Sequence, residues 1–338
     1  MKNNENAKNI SLNVRKLESK TNINEYLCKY TIKAHKLEIT CMTLLKTNEE
    51  IATGSLDKKI KIWKISKIDY DILLLSELEG HKDGILSLLY IINSNKLLST
   101  SKDKTIKIWD INYLNCIQTL RYHESSVYAC YYNPLITPLD IISGGEDKNI
   151  VIWSKIFNTN NKNIEYNVKS ILKGHDDSVL SLLFIVEKKY LISGSKDKSI
   201  RIWDYEYNYN CVNVLNELNT EIYCLKYNFV KYNINKNVLI CSCEDGNIYF
   251  IDINKIKLIK SIQFSKYSVK NFDINENQLL IASFDHKGRI WNFEDKQKET
   301  LRGHNKGLTS IIKLNNEVII TSSLDNNIKI WSKENSNK

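Results

Sequence analysis

The stretch SKDKTIKIWD (residues 101–110) recurs almost unchanged as SKDKSIRIWD (residues 195–204), which has Ser199 in place of Thr105 and Arg201 in place of Lys107. Five more stretches share its layout: SLDKKIKIWK (55–64), GEDKNIVIWS (145–154), CEDGNIYFID (243–252), SFDHKGRIWN (283–292) and SLDNNIKIWS (323–332). The aspartates of successive copies are 40 to 50 residues apart. A period of that length predicts a repeat architecture in which each unit packs against its neighbours.

Three residue types recur at fixed positions of this repeat. An aspartate is third in every copy, and a tryptophan follows six residues later, except in the fifth copy, which has Ile251. Five of the six histidines in the sequence precede one of these aspartates by 21 to 24 residues. Because five repeats share one histidine position, a role within the repeat is favoured over a single active site.

One repeat is predicted to form four short strands. The stretch SVLSLLFIV (178–186) is followed by YLISGS (190–195), by a turn at Asp197 and by SIRIWD (199–204). The fourth strand precedes the next histidine, as in CIQTLRYH (116–123). Period-two alternation, β-branched residues and polar turns favour strands, and helical periodicity is absent. The sequence therefore predicts an all-β fold.

The combination of Gly-His, Ser-x-x-x-Asp and Trp-Asp at this period resembles the WD-repeat (WD40) β-propeller family over residues 26–332. The resemblance implies a seven-bladed β-propeller of four-stranded antiparallel blades. The stretch CKYTIKAH (28–35) has the layout of a fourth strand with no three strands before it, so we expect it to close the ring in the last blade. We predict a polar, flexible N-terminal arm (1–25), a single propeller (26–332) and a C-terminal tail (333–338).

The family resemblance also implies a hydrogen-bonded tetrad of histidine, Ser or Thr, aspartate and tryptophan in each regular blade. The expected structural tetrads are His35, Thr53, Asp57 and Trp63; His81, Ser99, Asp103 and Trp109; His123, Ser143, Asp147 and Trp153; His175, Ser193, Asp197 and Trp203; and His304, Thr321, Asp325 and Trp331. Repeats five and six carry Leu218 and Ser265 at the histidine position and Cys241 and Ile281 at the Ser/Thr position. The joint loss fits a shared network, because a half-satisfied buried polar group is costly.

In the family that this sequence resembles, partners most often dock on the face that carries the histidine loops and aspartate turns, which we call the top face. The resemblance implies exposed positions three and five residues after the histidine and one before the aspartate. The residues expected to bind partners there are Leu56, Leu86, Tyr128, Leu180, Tyr223, Phe284, Leu324, Glu38, Lys102 and Lys196. An apolar cluster rimmed by charge is typical of a protein-binding patch. Alternatively, some of the leucines only plug the mouth of the channel.

Composition narrows the function classes. The 338 residues contain no apolar run long enough to span a membrane, and the first twenty lack an apolar signal core. The eight cysteines are scattered without a CxxC pair, so neither a zinc site nor a disulfide framework is predicted. No nucleotide-binding, hydrolase or metalloprotease motif occurs, and we expect no catalytic residue, cofactor or metal.

The favoured function is a noncatalytic scaffold for partner proteins or peptide motifs, in the cytoplasm, the nucleus or both. We expect the propeller to be monomeric within a larger hetero-complex. The net charge of +9 leaves open an alternative, an RNA- or nucleoprotein-associated propeller. Nucleic acid is possible but less favoured, because lysines are spread over turns and strands and mixed with acidic residues.

Overall fold

The computed structural model describes residues 25–46, 49–66, 70–132, 140–158, 163–230, 236–275 and 277–333. The predicted arm lies outside the described residues except for Glu25, and the predicted tail lies outside them except for Lys333.

The described residues form seven antiparallel sheets of four strands, which we number as blades 1 to 7 in chain order. A first strand, β1 (Tyr26–Lys33), precedes them. Blade 1 contains β2 (Ile39–Leu44), β3 (Glu50–Ser55), β4 (Ile60–Ile65) and β5 (Ile72–Leu78). Blade 2 contains β6 (Ile85–Ile91), β7 (Lys96–Ser101), β8 (Thr105–Asp110) and β9 (Asn115–Arg121). Blade 3 contains β10 (Val127–Tyr132), β11 (Ile141–Gly145), β12 (Ile150–Asn158) and β13 (Asn163–Leu172).

The second half of the chain repeats this order. Blade 4 contains β14 (Val179–Ile185), β15 (Tyr190–Ser195), β16 (Ile200–Asp204) and β17 (Cys211–Leu215). Blade 5 contains β18 (Ile222–Val230), β19 (Lys236–Cys243), β20 (Asn247–Asp252) and β21 (Lys257–Gln263). Blade 6 contains β22 (Val269–Asn275), β23 (Gln278–Ser283), β24 (Lys287–Asn292) and β25 (Lys298–Arg302). Blade 7 contains β26 (Leu308–Lys313), β27 (Val318–Ser323) and β28 (Asn327–Lys333), and short 3₁₀ turns cover Ile92–Ser94 and Val186–Lys188.

The blades are arranged in a circle. The first strand of each blade contacts the first strands of both neighbouring blades, and β26 of blade 7 contacts β2 of blade 1. Strand β1 pairs antiparallel with β28, with Ile32 opposite Ile328, and is the fourth strand of blade 7. The two ends of the described chain therefore meet in one sheet. The predicted all-β, seven-bladed propeller of four-stranded antiparallel blades is confirmed.

Burial follows the position of a strand within its blade. Every residue of β27 is buried, whereas buried positions are absent from the outer strand β21, which alternates half-buried and exposed residues. The hydrophobic core lies between blades, where each tryptophan packs on the preceding blade: Trp109 of blade 2, for example, packs against Ile60 and Ile62 of blade 1. Such an indole buries about 150–250 Å² and contributes strongly to the interface between sheets.

Candidate protein-binding face

The five regular repeats contain the same hydrogen-bonded chain of side chains. In blade 2, Trp109 Nε1 donates to Ser99 Oγ at 2.8 Å, and His81 Nε2 lies 2.7 Å from the same oxygen. His81 Nδ1 lies 2.8 Å from Asp103 Oδ2. Because Ser99 accepts the indole proton, its own hydroxyl can donate to Nε2, which leaves the Nδ1 proton for the carboxylate. The equivalent side chains of blades 1, 3, 4 and 7 make the same contacts.

The tetrad aspartates are held in their charged form. Burial alone would raise the pKa of Asp57, but hydrogen bonds from His35 and from the backbone N–H groups of Lys36 and Lys59 outweigh it and lower the pKa to about 2. Burial lowers the pKa of His304, although its contact with Asp325 acts in the opposite direction. A neutral imidazole beside a charged carboxylate ties the histidine loop to the aspartate turn, which fits a structural role.

In the two irregular repeats, the aspartate keeps a partner, but the partner comes from its own blade. Asp245 accepts hydrogen bonds from Tyr249 Oη at 2.6 Å and from Asn247 Nδ2 at 2.6 Å. Asp285 forms a buried ion pair with Arg289, whose Nη1 lies 2.9 Å from Oδ1. Tyr249 and Arg289 were not predicted from the sequence as partners of these aspartates. The signal available was their shared position, four residues after the aspartate.

A ring of backbone hydrogen bonds fixes the top face in all seven repeats. The residue before each aspartate donates its N–H to the carbonyl of the third residue after the histidine position. The pairs are Leu56 to Glu38, Lys102 to Gly84, Glu146 to Ser126, Lys196 to Ser178, Glu244 to Glu221, Phe284 to Ser268 and Leu324 to Gly307. Because blades 5 and 6 keep this bond without the histidine, the top face has one geometry around the whole circle.

The residues expected to bind partners are accessible to different degrees. Lys102 and Lys196 are exposed, and the other eight are half-buried: Leu56, Leu86, Tyr128, Leu180, Tyr223, Phe284, Leu324 and Glu38. The expectation that all positions of this pattern are exposed was wrong at Gly84, Ser178, Gly307 and Thr309, which are buried.

The two buried glycines lie beneath residues of the neighbouring blade. A Cβ atom on Gly84 would lie 2.6 Å from Leu56 Cδ2, and one on Gly307 would lie 2.7 Å from Phe284 Cδ1. Leu56 and Phe284 therefore bridge the junctions between adjacent blades on the top face.

A lysine and two aromatic rings meet at the junction of blades 5 and 6. Lys270 Nζ lies 3.1 Å from the ring centroid of Tyr223 and 5.0 Å from that of Phe284. Burial lowers the pKa of Lys270 to about 8, against the opposing effect of Glu221 and Glu244. Contact with two ring faces offsets part of the cost of burying the ammonium group.

Within the described ranges, no three His, Cys, Asp or Glu side chains are grouped so that they could hold a metal ion. None of the helices in the described part of the chain is long and apolar enough to cross a membrane.

Comparison with known families decides the identity of the repeat. The WD40 family profile, described as "WD domain, G-beta repeat", matches residues 26–64, 73–110, 114–154, 166–204 and 295–332, more than half of the chain. The chain belongs to the WD40 family. The matched ranges do not include residues 205–294, which hold most of irregular repeats five and six.

Similar proteins share the repeat over part of their length. The U5 small nuclear ribonucleoprotein 40 kDa protein of Dictyostelium discoideum is 28% identical over 217 residues, 63% of this chain and 45% of that protein. Protein tipD of the same organism is 27% identical over 116 residues, 33% of this chain and 18% of that protein. This WD40 chain therefore spans less than half the length of these relatives.

A solved structure shares the fold. The WD40 β-propeller domain of Doa1 superposes with a TM-score of 0.76 at 19% identity, covering 92% of this chain and 98% of that domain.

Proposed function

We propose that this WD40 propeller is a noncatalytic scaffold that binds partner proteins or peptides on its top face, as one subunit of a larger complex. The observation that carries the proposal is the ring of seven backbone hydrogen bonds, which holds the predicted contact residues at equivalent positions around one face. Leu56, Leu324 and Phe284 immediately precede their aspartates in this ring and are half-buried.

The chemistry of these positions favours protein recognition. Apolar and aromatic side chains at half-exposed positions lose their remaining water when a partner covers them, which contributes about 25 cal/mol for each Å² buried. The exposed Lys102 and Lys196 add charge beside them. An apolar centre with a charged rim is the usual composition of a binding hot spot.

The plug hypothesis makes a different prediction for the same leucines. If Leu56 and Leu86 only close the mouth of the channel, their replacement changes stability and leaves partner capture intact. We therefore compare Leu56→Glu and Leu86→Glu with Leu73→Glu, which alters a leucine on the outer strand β5 that is 62% exposed.

The test is affinity purification from the native cell followed by mass spectrometry. We expect both top-face variants to fold, as judged by circular dichroism, and to lose partners that the wild-type chain and Leu73→Glu retain. Retention of the same partners by all variants would reject the top face as the docking site.

A second candidate function is association with an RNA–protein particle. It is supported by the name of the U5 small nuclear ribonucleoprotein relative and by the net charge of +9. Under this candidate, RNA affinity falls steeply with salt. Titration with a single-stranded RNA at two salt concentrations tests it, and an affinity that is weak at both concentrations would reject it.

A further inference from the structure

Blade 6 contains a cleft that opens on the top face at the site of the missing histidine. The cleft has a volume of about 580 Å³ and lies between the loop that carries Ser265 and Tyr267 and the turn that carries Phe284 and Asp285. In the regular blades, a histidine ring lies between the equivalent loop and turn, bonded to the tetrad aspartate. Ser265 is much smaller than histidine, so space remains between the two segments.

The backbone around the cleft is fixed by the neighbouring blade. The N–H groups of Phe264 and Ser265 donate to the carbonyl of Gly246 at 3.1 and 3.3 Å. Gly246 has a φ of +81°, and a Cβ atom there would lie 2.2 Å from the Ser265 carbonyl oxygen. The loop therefore rests directly on the turn of blade 5, which keeps the cleft open.

The lining of the cleft is positively charged. Lys266, Lys287 and Arg289 line it, and its single acidic lining residue, Asp285, is already paired with Arg289. Lys298 adds a further cation nearby, because its Nζ donates to the carbonyl oxygen of the lining residue Phe264 at 3.4 Å. The ammonium groups of Lys266 and Lys287 are thus available to an incoming anion.

Aromatic residues complete the lining. Tyr267 is 63% exposed at the mouth, and Phe264 is buried. Phe284 lines the cleft and also belongs to the proposed docking face. Ring faces beside ammonium groups match a peptide that combines an acidic side chain with apolar neighbours.

We propose that the blade 6 cleft binds an acidic side chain, aspartate or glutamate, of a partner peptide that docks on the top face. This inference rests on the proposed function, since it names the chemistry of the partner at one position. A peptide is favoured over nucleic acid because the cleft is short: one loop (residues 263–267) and one turn (residues 284–289) supply its whole lining. A nucleic-acid strand needs a basic groove that follows its backbone.

The experiment selects peptides from a random octapeptide phage library on the immobilised full chain. Ser265→His restores the side chain of the regular repeats and fills the cleft without adding a full charge at neutral pH. Lys266→Glu/Lys287→Glu reverses the two available cations. The matched control is Lys82→Glu/Lys104→Glu, which reverses two exposed lysines of regular blade 2, where Lys82 occupies the same repeat position as Lys266.

We expect peptides selected on the wild-type chain to carry Asp or Glu at one fixed position. Synthetic, fluorescein-labelled copies should bind at least about tenfold more weakly when that residue is Gln, or when the chain carries Ser265→His or Lys266→Glu/Lys287→Glu. The blade 2 control should bind like wild type. Circular dichroism and the melting temperature verify that each variant folds.

The inference is overturned by the lack of a fixed acidic position among the selected peptides, by undiminished binding to both cleft variants, or by displacement of the peptide by oligouridylate at equal concentration. A phosphoserine at the acidic position that binds tenfold more tightly would also contradict the choice of a carboxylate. A different result rejects the proposed function, namely that Leu56→Glu and Leu86→Glu retain every native partner. That result does not depend on what the cleft binds.

Discussion

Arg289 holds the carboxylate of Asp285 through both of its terminal nitrogens, in the one blade where a serine replaces histidine and an isoleucine replaces the Ser/Thr of the tetrad. The side chains of this pair are 7% and 11% exposed. The turn of blade 6 therefore keeps a buried charge by pairing it within the blade, whereas the regular blades pair it with the preceding loop.

Removal of the arginine should therefore be costly. We expect Arg289→Ala to lower the free energy of unfolding by about 3 kcal/mol, because it leaves Asp285 charged and buried without its partner. The double variant Asp285→Ala/Arg289→Ala should recover a large part of that loss. Urea denaturation measures the free energy of unfolding of both variants. If the single and the double variant lose the same amount of free energy, the two residues are not coupled.

The Ser99 hydroxyl is the centre of the blade 2 tetrad, since it contacts both His81 and Trp109. We expect Ser99→Ala to lower the free energy of unfolding by about 2 kcal/mol, because two buried polar groups lose their partner. Ser99→Thr is the matched control, because Thr53 and Thr321 occupy this position in blades 1 and 7. If Ser99→Ala unfolds at the same urea concentration as Ser99→Thr, the hydroxyl does not stabilise the blade.

The pairing of β1 with β28 predicts an effect of truncation. Deletion of residues 1–33 removes the outer strand of blade 7 and exposes the edge of β28, so we expect the melting temperature to fall by more than about 5 °C. Deletion of residues 1–24 leaves β1 in place and should change the melting temperature little. Differential scanning calorimetry compares the two, and equal melting temperatures would contradict a role for β1 in stability.

Acid should destabilise the propeller in two stages. Because the pKa of His304 is lower in the folded chain than in the unfolded chain, acid protonates this histidine in the unfolded chain at a higher pH. The free energy of unfolding therefore declines as the pH falls below about 6.5. Asp57 and Asp325, with pKa values lowered to about 2, add stability that is present above about pH 4 and is lost between about pH 4 and pH 2. Urea midpoints at pH 7, 5 and 3 measure both stages, and a midpoint independent of pH would contradict the tetrad assignment.

The architecture could be predicted from sequence because the repeat marks are periodic. The spacing of Asp103 and Trp109 recurs in six copies, and CKYTIKAH (28–35) carries the layout of an outer strand before any blade begins. The partners of the irregular aspartates were missed, because Tyr249 and Arg289 lie in the same blade as their aspartates and take the place of a histidine that belongs to another loop.

Contacts between blades could not be predicted from the sequence either. Lys270 and Tyr223 are 47 positions apart and meet only because blades 5 and 6 are adjacent. The burial of Gly84 beneath Leu56 likewise depends on the distance between two neighbouring turns. A pattern within one repeat contains no information about such distances.

The most direct test of the central claim is hydrogen exchange of the full chain, alone and bound to a partner obtained by affinity purification. The top-face account predicts that binding slows exchange in the histidine loops and aspartate turns, including those around Leu56, Leu86 and Phe284. Slower exchange confined to outer strands such as β5 or β13, with the top-face turns unchanged, would contradict it.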